Sequence, residues 1–264
     1  MNESHPNSIT QHPAYAALAD LAAGGIEFDV DALLRSAPAS PLNKEASVLI
    51  LFGALEDTPS TTDFEGCPEN VGADLDVLQL VRASTLRTHA GQPAFPGGKI
   101  DPEDRDLAER TGEPVAHIAA LREAVEETGL NPSGVKILGQ LQTLPLPVSN
   151  FMVTPVIGWW DSPVAVNVVD YNESALIARV PVRDLLNPAN RHTAYIKRGL
   201  TSHRTPAFDV RLPATGASAE AGQGDEEFTV WGFTAILLDR IFDSLGWSVP
   251  WDRDDLRPAP GYEP

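Results

Sequence analysis

The chain reads Phe95-Pro96-Gly97-Gly98, then an acidic stretch through Asp101, Glu103 and Asp104, and then Arg122-Glu123-Ala124-Val125-Glu126-Glu127-Thr128-Gly129-Leu130. A glycine pair lets backbone approach a ligand closely, because glycine has no Cβ to clash. The second run has helical character. At about 100° per residue, Ile118, Leu121, Ala124 and Val125 share one side, and Glu123, Glu126 and Glu127 share the other. Like charges three and four residues apart destabilise a helix by about 0.2–0.5 kcal/mol per pair, and a divalent cation reverses that sign. Carboxylates with room left for water suit a hard ion such as Mg2+ or Mn2+, which takes a few protein oxygens together with substrate phosphates. Glu123, Glu126 and Glu127 are therefore the expected metal ligands, weighed against the plainer reading of a solvated acidic helix face.

The order of these residues resembles the Nudix box, written Gly, five residues, Glu, seven residues, Arg-Glu-aliphatic-x-Glu-Glu-x-Gly-aliphatic. Both ends match. In the middle Asp104 stands where Glu is usual, Ala124 fills the first aliphatic place, and the gap from Asp104 to Arg122 is longer than seven residues. Just upstream, Arg82, Arg87, Gly91 and Phe95 to Gly98 match in type and spacing the motif that precedes the box in the coenzyme A diphosphatase branch of Nudix hydrolases. That branch tolerates Asp at the place of Asp104 and Ala at that of Ala124, so only the long loop stands out. Two adjacent patterns in register are far more specific than a lone glycine pair.

The resemblance covers about Ser47 to Leu245 and implies an α/β Nudix fold, a mixed β-sheet sandwiched between helices. It further implies metal ligation by a carbonyl of the glycine loop, assigned to Gly98, and an acidic residue ahead of a following strand, matched here by Glu173. Gly97 and Gly98 would line the substrate. Arg82 and Arg87 are the candidates for phosphate contacts, since a guanidinium offers forked donors to phosphate oxygens. Arg122, one turn from Glu126, would orient the glutamates as an ion-pair partner. Glu123 or Glu173 would take the proton of the attacking water, and the sequence does not decide between them. The expected substrate is coenzyme A or an acyl derivative, cut to 4′-phosphopantetheine and adenosine 3′,5′-bisphosphate. Two other readings stay open: a hydrolase of other nucleoside diphosphate derivatives, such as ADP-ribose, NADH or dinucleotides, and a nucleotide-sensing module without catalysis.

The formal net charge of −18 argues against a nucleic-acid polymer or an anionic membrane as partner, because counterion release and attraction would both be missing. A small phosphorylated substrate is compatible, its charge being met locally by metal and arginine. Cys67 is the single cysteine among 264 residues, which excludes an internal disulfide and fits a reducing cytoplasm. No apolar run approaches the roughly 18–20 residues of a spanning helix. A homodimer is compatible with this reading.

Residues 1–40 read as an accessory segment, with Met1 to Pro13 disordered, a short helix over Ala14 to Ala23 and a second around Val30 to Leu34. Residues 41–246 form the catalytic domain and 247–264 a loose surface tail. Strands are expected at Ser47–Leu55, Leu75–Arg82, Val135–Leu141, Met152–Trp160, Ala175–Val180, Tyr195–Lys197 and Ala207–Leu212. Arg105 to Glu113 reads as a surface excursion, Pro181 to Leu186 as a short helix, and Ser202-His203-Arg204 as a loop whose histidine has no catalytic part. A helix is expected from Phe228 to about Leu245, burying Trp231, Ala235, Leu238 and Phe242.

Overall fold

The computed structural model describes residues 12–34, 42–54, 60, 62–82, 91–164, 166, 168–170, 174–198, 201–213 and 225–262. The aliphatic run at Ser47 becomes β1 (Lys44–Ala54), the central strand of an eight-stranded mixed sheet. Its C-terminal part pairs antiparallel with β2 (Leu75–Arg82), and its N-terminal part pairs antiparallel with β4 (Gly97–Lys99). On the other side β7 (Phe151–Trp160) runs parallel to its full length. β3 (Pro93–Ala94) and β8 (Ser174–Pro181) flank β2, and β5 (Val135–Gln140) and β6 (Leu144–Leu146) pair with β7.

One feature of this pairing places the glycine loop. β1 meets β2 through Phe52, Gly53 and Ala54 but meets β4 through Ala46, Ser47 and Val48. The two strands part like a fork, and Phe95-Pro96-Gly97-Gly98 lies in the opening, tied to β1 where Leu49 N donates to Pro96 O at 2.8 Å.

Strand alternation sends successive residues to opposite faces. Trp159 packs in the larger core with Ile50, Phe52, Val77 and Val180, whereas Trp160 packs in a smaller one with Leu49, Leu51, Leu78 and Val156. Both tryptophans are fully buried, as expected of core residues. The smaller core is covered by α4 (Val115–Thr128), whose buried residues are Ala116, Ala119, Ala120, Ala124 and Thr128. The bulkier Ile118, Leu121 and Val125, which share a side with Ala124 by helical spacing, are only half-buried. Small side chains let the helix lie close on β1, and Ser47 Oγ, 2.7 Å from Ala116 O and 3.1 Å from Thr154 O, joins helix and sheet.

The other face differs from expectation. Residues 1–11 lie outside the described residues, but His12 caps α1 (Pro13–Gly24) and Ala14, Leu18 and Ala22 enter the larger core. The helix is part of the domain, not an accessory; α2 (Val30–Leu34) falls where the sequence put it. α3 (Pro102–Thr111) replaces the expected excursion. Pro102 at its start, acidic residues in its first turn and left-handed Gly112 at its end are ordinary helix signals.

After α5 (Val182–Leu186), a second sheet of four strands forms in the order β11-β10-β9-β12. It comprises β9 (Arg191–Arg198), β10 (Thr201–Leu212), β11 (Glu226–Val230) and β12 (Leu256–Pro258). His203 sits within β10 opposite Ile196, in a strand and not a loop. Phe228 to Val230 belong to β11, and α6 (Gly232–Ser244) starts after Trp231, so the expected helix begins late. Ala235, Leu238 and Phe242 are nonetheless buried, and Trp231 nearly so. The tail is not loose. Trp247 is fully buried in the larger core, and β12 pairs parallel with β9. Cys67 is half-buried and free. Among the described residues no helix is long and apolar enough to cross a membrane.

Candidate active site

Two elements build the site: the glycine loop held in the fork, and α4 lying over β1. Gly97 N donates to Glu127 Oε2 at 2.9 Å. A Cβ on Gly98 would collide with the Glu123 carboxylate, and one on Gly97 with the Ser47 carbonyl. Both positions therefore need glycine for space, at ordinary negative φ, so that two carboxylates can press against the loop backbone.

Arg122 is the hub. Its Nε and Nη2 each donate to the Asp104 carboxylate at 2.9 Å, Nη1 lies 2.9 Å from Glu123 Oε1 and 3.0 Å from Glu126 Oε2, and Nη2 donates to Lys99 O at 3.0 Å. Asp104 is buried. It closes a capping box at the start of α3, accepting from Asp101 N at 2.8 Å. Burial alone would raise its pKa, but the hydrogen bonds from Arg122 and the Asp101 N–H, with the charges of Arg122 and Arg105, hold it below the usual range. The long gap in the box thus holds a helix whose first turn anchors the arginine. Arg105 pairs with Glu45 on β1 and fixes the same helix from its outer side.

Glu123 is drawn the other way. Burial against the loop raises its pKa, opposed by Arg122 and assisted by Glu126 and Asp101. A carboxyl pushed up by desolvation and by neighbouring acids is the kind of group a cation or a proton relieves. Glu126, its side chain 58% exposed, has the i,i+4 contact with Arg122 as its ion pair among the described residues.

The donor chemistry fits a hard divalent ion: carboxylate oxygens of Glu123 and Glu127 at the glycine loop, with Glu126 on the same helix. Among the described residues no three acidic, histidine or cysteine side chains are already gathered at ligating distance. Two of the three glutamates meet at the loop, and the third is parked on Arg122.

Arg82 lies on the face of β2 that carries Leu78, the same face that α4 covers, and is half-buried. Among the described residues it has no ion-pair partner, and its Nε is buried without a hydrogen bond. Arg87 and Glu173 lie outside the described residues. The anchoring roles of Asp101 and of the Lys99 carbonyl escaped the sequence reading. An Asp-Pro-x-x pattern signals a cap, but nothing in sequence ties a backbone oxygen to a distant arginine.

The chain matches the NUDIX domain family over residues 71–196. Uncharacterized Nudix hydrolase NudL of Yersinia enterocolitica is 34% identical over 165 residues, covering 62% of this chain and 71% of the relative. NudL of Cronobacter sakazakii is 37% identical over 170 residues, 64% of this chain and 75% of the relative. Nudix hydrolase 3 of Caenorhabditis elegans is 32% identical over 175 residues, 66% and 68% of the two chains. With a mixed sheet between helices, the glycine loop in its fork and the Arg-Glu-x-x-Glu-Glu helix beside it, the chain belongs to the Nudix hydrolases, enzymes that act on nucleoside diphosphate derivatives.

Proposed function

We propose that this hydrolase cleaves the diphosphate linkage of coenzyme A or its acyl derivatives, releasing 4′-phosphopantetheine, or its acyl form, and adenosine 3′,5′-bisphosphate. The observation that carries this reading is the register of Arg82, Arg87, Gly91 and Phe95 to Gly98, which marks one branch of the family. The placement of Arg82 supports it, since a half-buried guanidinium without an acidic partner among the described residues is free to meet a phosphate.

Nudix hydrolases generally use a divalent cation. Here Glu123, Glu126, Glu127 and the Gly98 carbonyl would hold it, and Mg2+ or Mn2+ suits the donor set; when bound it neutralises the diphosphate and acidifies a water. The chain's own residues do the rest. Arg122, pinned by Asp104 and Lys99 O, keeps Glu123 and Glu126 at fixed positions. Glu123 or Glu173 would accept the proton of the attacking water. Gly97 and Gly98, by letting Glu123 and Glu127 close on the loop backbone, would set the diphosphate beside the carboxylates, and Arg82 and Arg87 would bind the 3′-phosphate end. We assign the domain to residues 41–246 together with α1 and the segment from Trp247 through β12, and a cytoplasmic setting agrees with the lone free thiol.

The test is kcat/KM for coenzyme A against ADP-ribose, NADH and diadenosine polyphosphates with Mg2+ or Mn2+, with products identified. Coenzyme A is expected to lead, and dephospho-coenzyme A to be the poorer substrate by about 10- to 150-fold if an arginine reads the 3′-phosphate. Equal rates across the panel would reduce the reading to a general Nudix hydrolase; tight binding without cleavage would favour a sensing module.

A further inference from the structure

Gln79 stands in the middle of β2 with no exposed surface, and neither Oε1 nor Nε2 has a hydrogen-bond partner among the described residues. A sealed, unpaired amide is a net cost to a fold, and native proteins carry few. Its surroundings offer no relief. Val77, on the same face of the strand, and Ala178, directly across on β8, both belong to the larger apolar core. On the other side, the register that sets Leu80 opposite Ala94 brings Phe95 level with Gln79, and Phe95 is buried in that same core.

The amide therefore sits where β1 and β2 part, beside the root of the glycine loop. Phe95 is two residues from Gly97, whose N–H holds Glu127. This is the seam where the β1 and β2 ladders are not joined to each other, the described pairing ending at Phe52 and Val77. The amide projects from the face of the sheet away from α4, so a ligand held by the α4 glutamates reaches it past the root of the glycine loop. A primary amide presents one donor and one acceptor in a plane, the complement of the edge of adenine, with its exocyclic N–H and neighbouring ring nitrogen. An aromatic ring alongside is the usual stacking partner of a base.

We propose that Gln79 is a specificity-determining residue, whose amide pairs with the adenine edge of the substrate when the apolar side chains over it part on binding. The unmet hydrogen bonds of the free enzyme are then the feature that the correct base satisfies and another group does not. This rests on the reading of the substrate as an adenosine diphosphate derivative, but not on coenzyme A in particular.

The test compares wild type with Gln79→Met, a change that nearly conserves volume. ADP and inorganic pyrophosphate, each with Mg2+, are titrated by calorimetry, and Tm is recorded without ligand. The expected result is a Tm higher by about 2–4 °C, ADP bound at least about ten-fold more weakly, and pyrophosphate bound as before. Unchanged ADP binding would overturn the assignment. So would a lower Tm, which would show that the amide has partners within the fold, or an equal loss for pyrophosphate, which would place the effect at the diphosphate. Coenzyme A left uncleaved by wild type would sink the proposed substrate alone, because ADP and pyrophosphate differ only in the adenosine shared by all candidates.

Discussion

Arg122 and Arg191 are both arginines set among carboxylates, yet they work in opposite surroundings. Arg122 lies at the surface edge of α4, its side chain 25% exposed, and donates to Asp104, Glu126 and a backbone carbonyl while contacting Glu123. Arg191 has no exposed side-chain surface. It pairs with Asp239 on α6 and lies between the rings of Phe208, at 4.7 Å, and Trp251, at 4.5 Å, with Nε and Nη1 unpartnered. Burial lowers the pKa of Arg191, whereas the carboxylates around Arg122 raise its own. One arginine is saturated with partners and holds acidic groups in place for use. The other rivets β9, β10, α6 and the C-terminal segment together.

The difference predicts separable effects. Arg191→Ala leaves partly buried Asp239 with Arg253, at 4.0 Å, as its remaining ion-pair partner among the described residues and removes a fully buried, ring-stacked side chain, a loss of about 2–5 kcal/mol. Chemical denaturation should show that drop, while turnover per folded molecule at low temperature stays near wild type. Retained stability would contradict the rivet. Arg122→Ala should act on both counts, lowering Tm because buried Asp104 loses its arginine, and in addition lowering kcat per folded molecule by about 10- to 100-fold, as for outer partners of metal ligands. A large Tm loss with normal turnover would place Arg122 with Arg191.

A subtler change sharpens the comparison. Asp104→Asn keeps the shape of the anchor but removes its charge, and kcat should fall by about ten-fold or less. The pH dependence carries the sign. The folded pKa of Asp104 lies below the ordinary value, so its contribution to stability is full above that value and disappears as pH falls through the depressed one. The Tm of wild type should therefore fall below about pH 4, and the acid limb of Asp104→Asn should be shallower. Parallel acid limbs would show that Asp104 is not held low.

The candidate-site side of this comparison is legible because its signals are local. Gly97-Gly98 and the glutamates of α4 declare their spacing within a few turns, and Gly129 ends the helix where a glycine should. The structural side was hidden because its contacts are distant. Trp247 and β12 read as a proline- and aspartate-rich tail, yet Thr193 N donates to Asp255 O at 2.8 Å and Thr193 Oγ1 to Arg253 O at 2.9 Å, across some sixty residues. No periodicity reports such pairing. The box insertion lay between these cases: Asp101, Pro102 and Gly112 are helix boundary signals, outweighed in the sequence reading by mixed charge. The inner face of α4 is only partly legible: the sequence groups Ala124 with Ile118, Leu121 and Val125, whereas close helix-sheet packing buries the alanines and leaves the three bulkier residues half-buried.

The central claim is that the glutamates pressed on the glycine loop perform the chemistry. The most direct measurement is steady-state turnover of coenzyme A by wild type and Glu127→Gln across a Mg2+ or Mn2+ titration, with the two products quantified. The claim predicts no turnover by wild type in chelator and a loss of orders of magnitude in kcat for Glu127→Gln at unchanged Tm, as expected when a metal-ligating charge is removed. Near-normal turnover by the folded variant, or full wild-type activity in chelator, would contradict it.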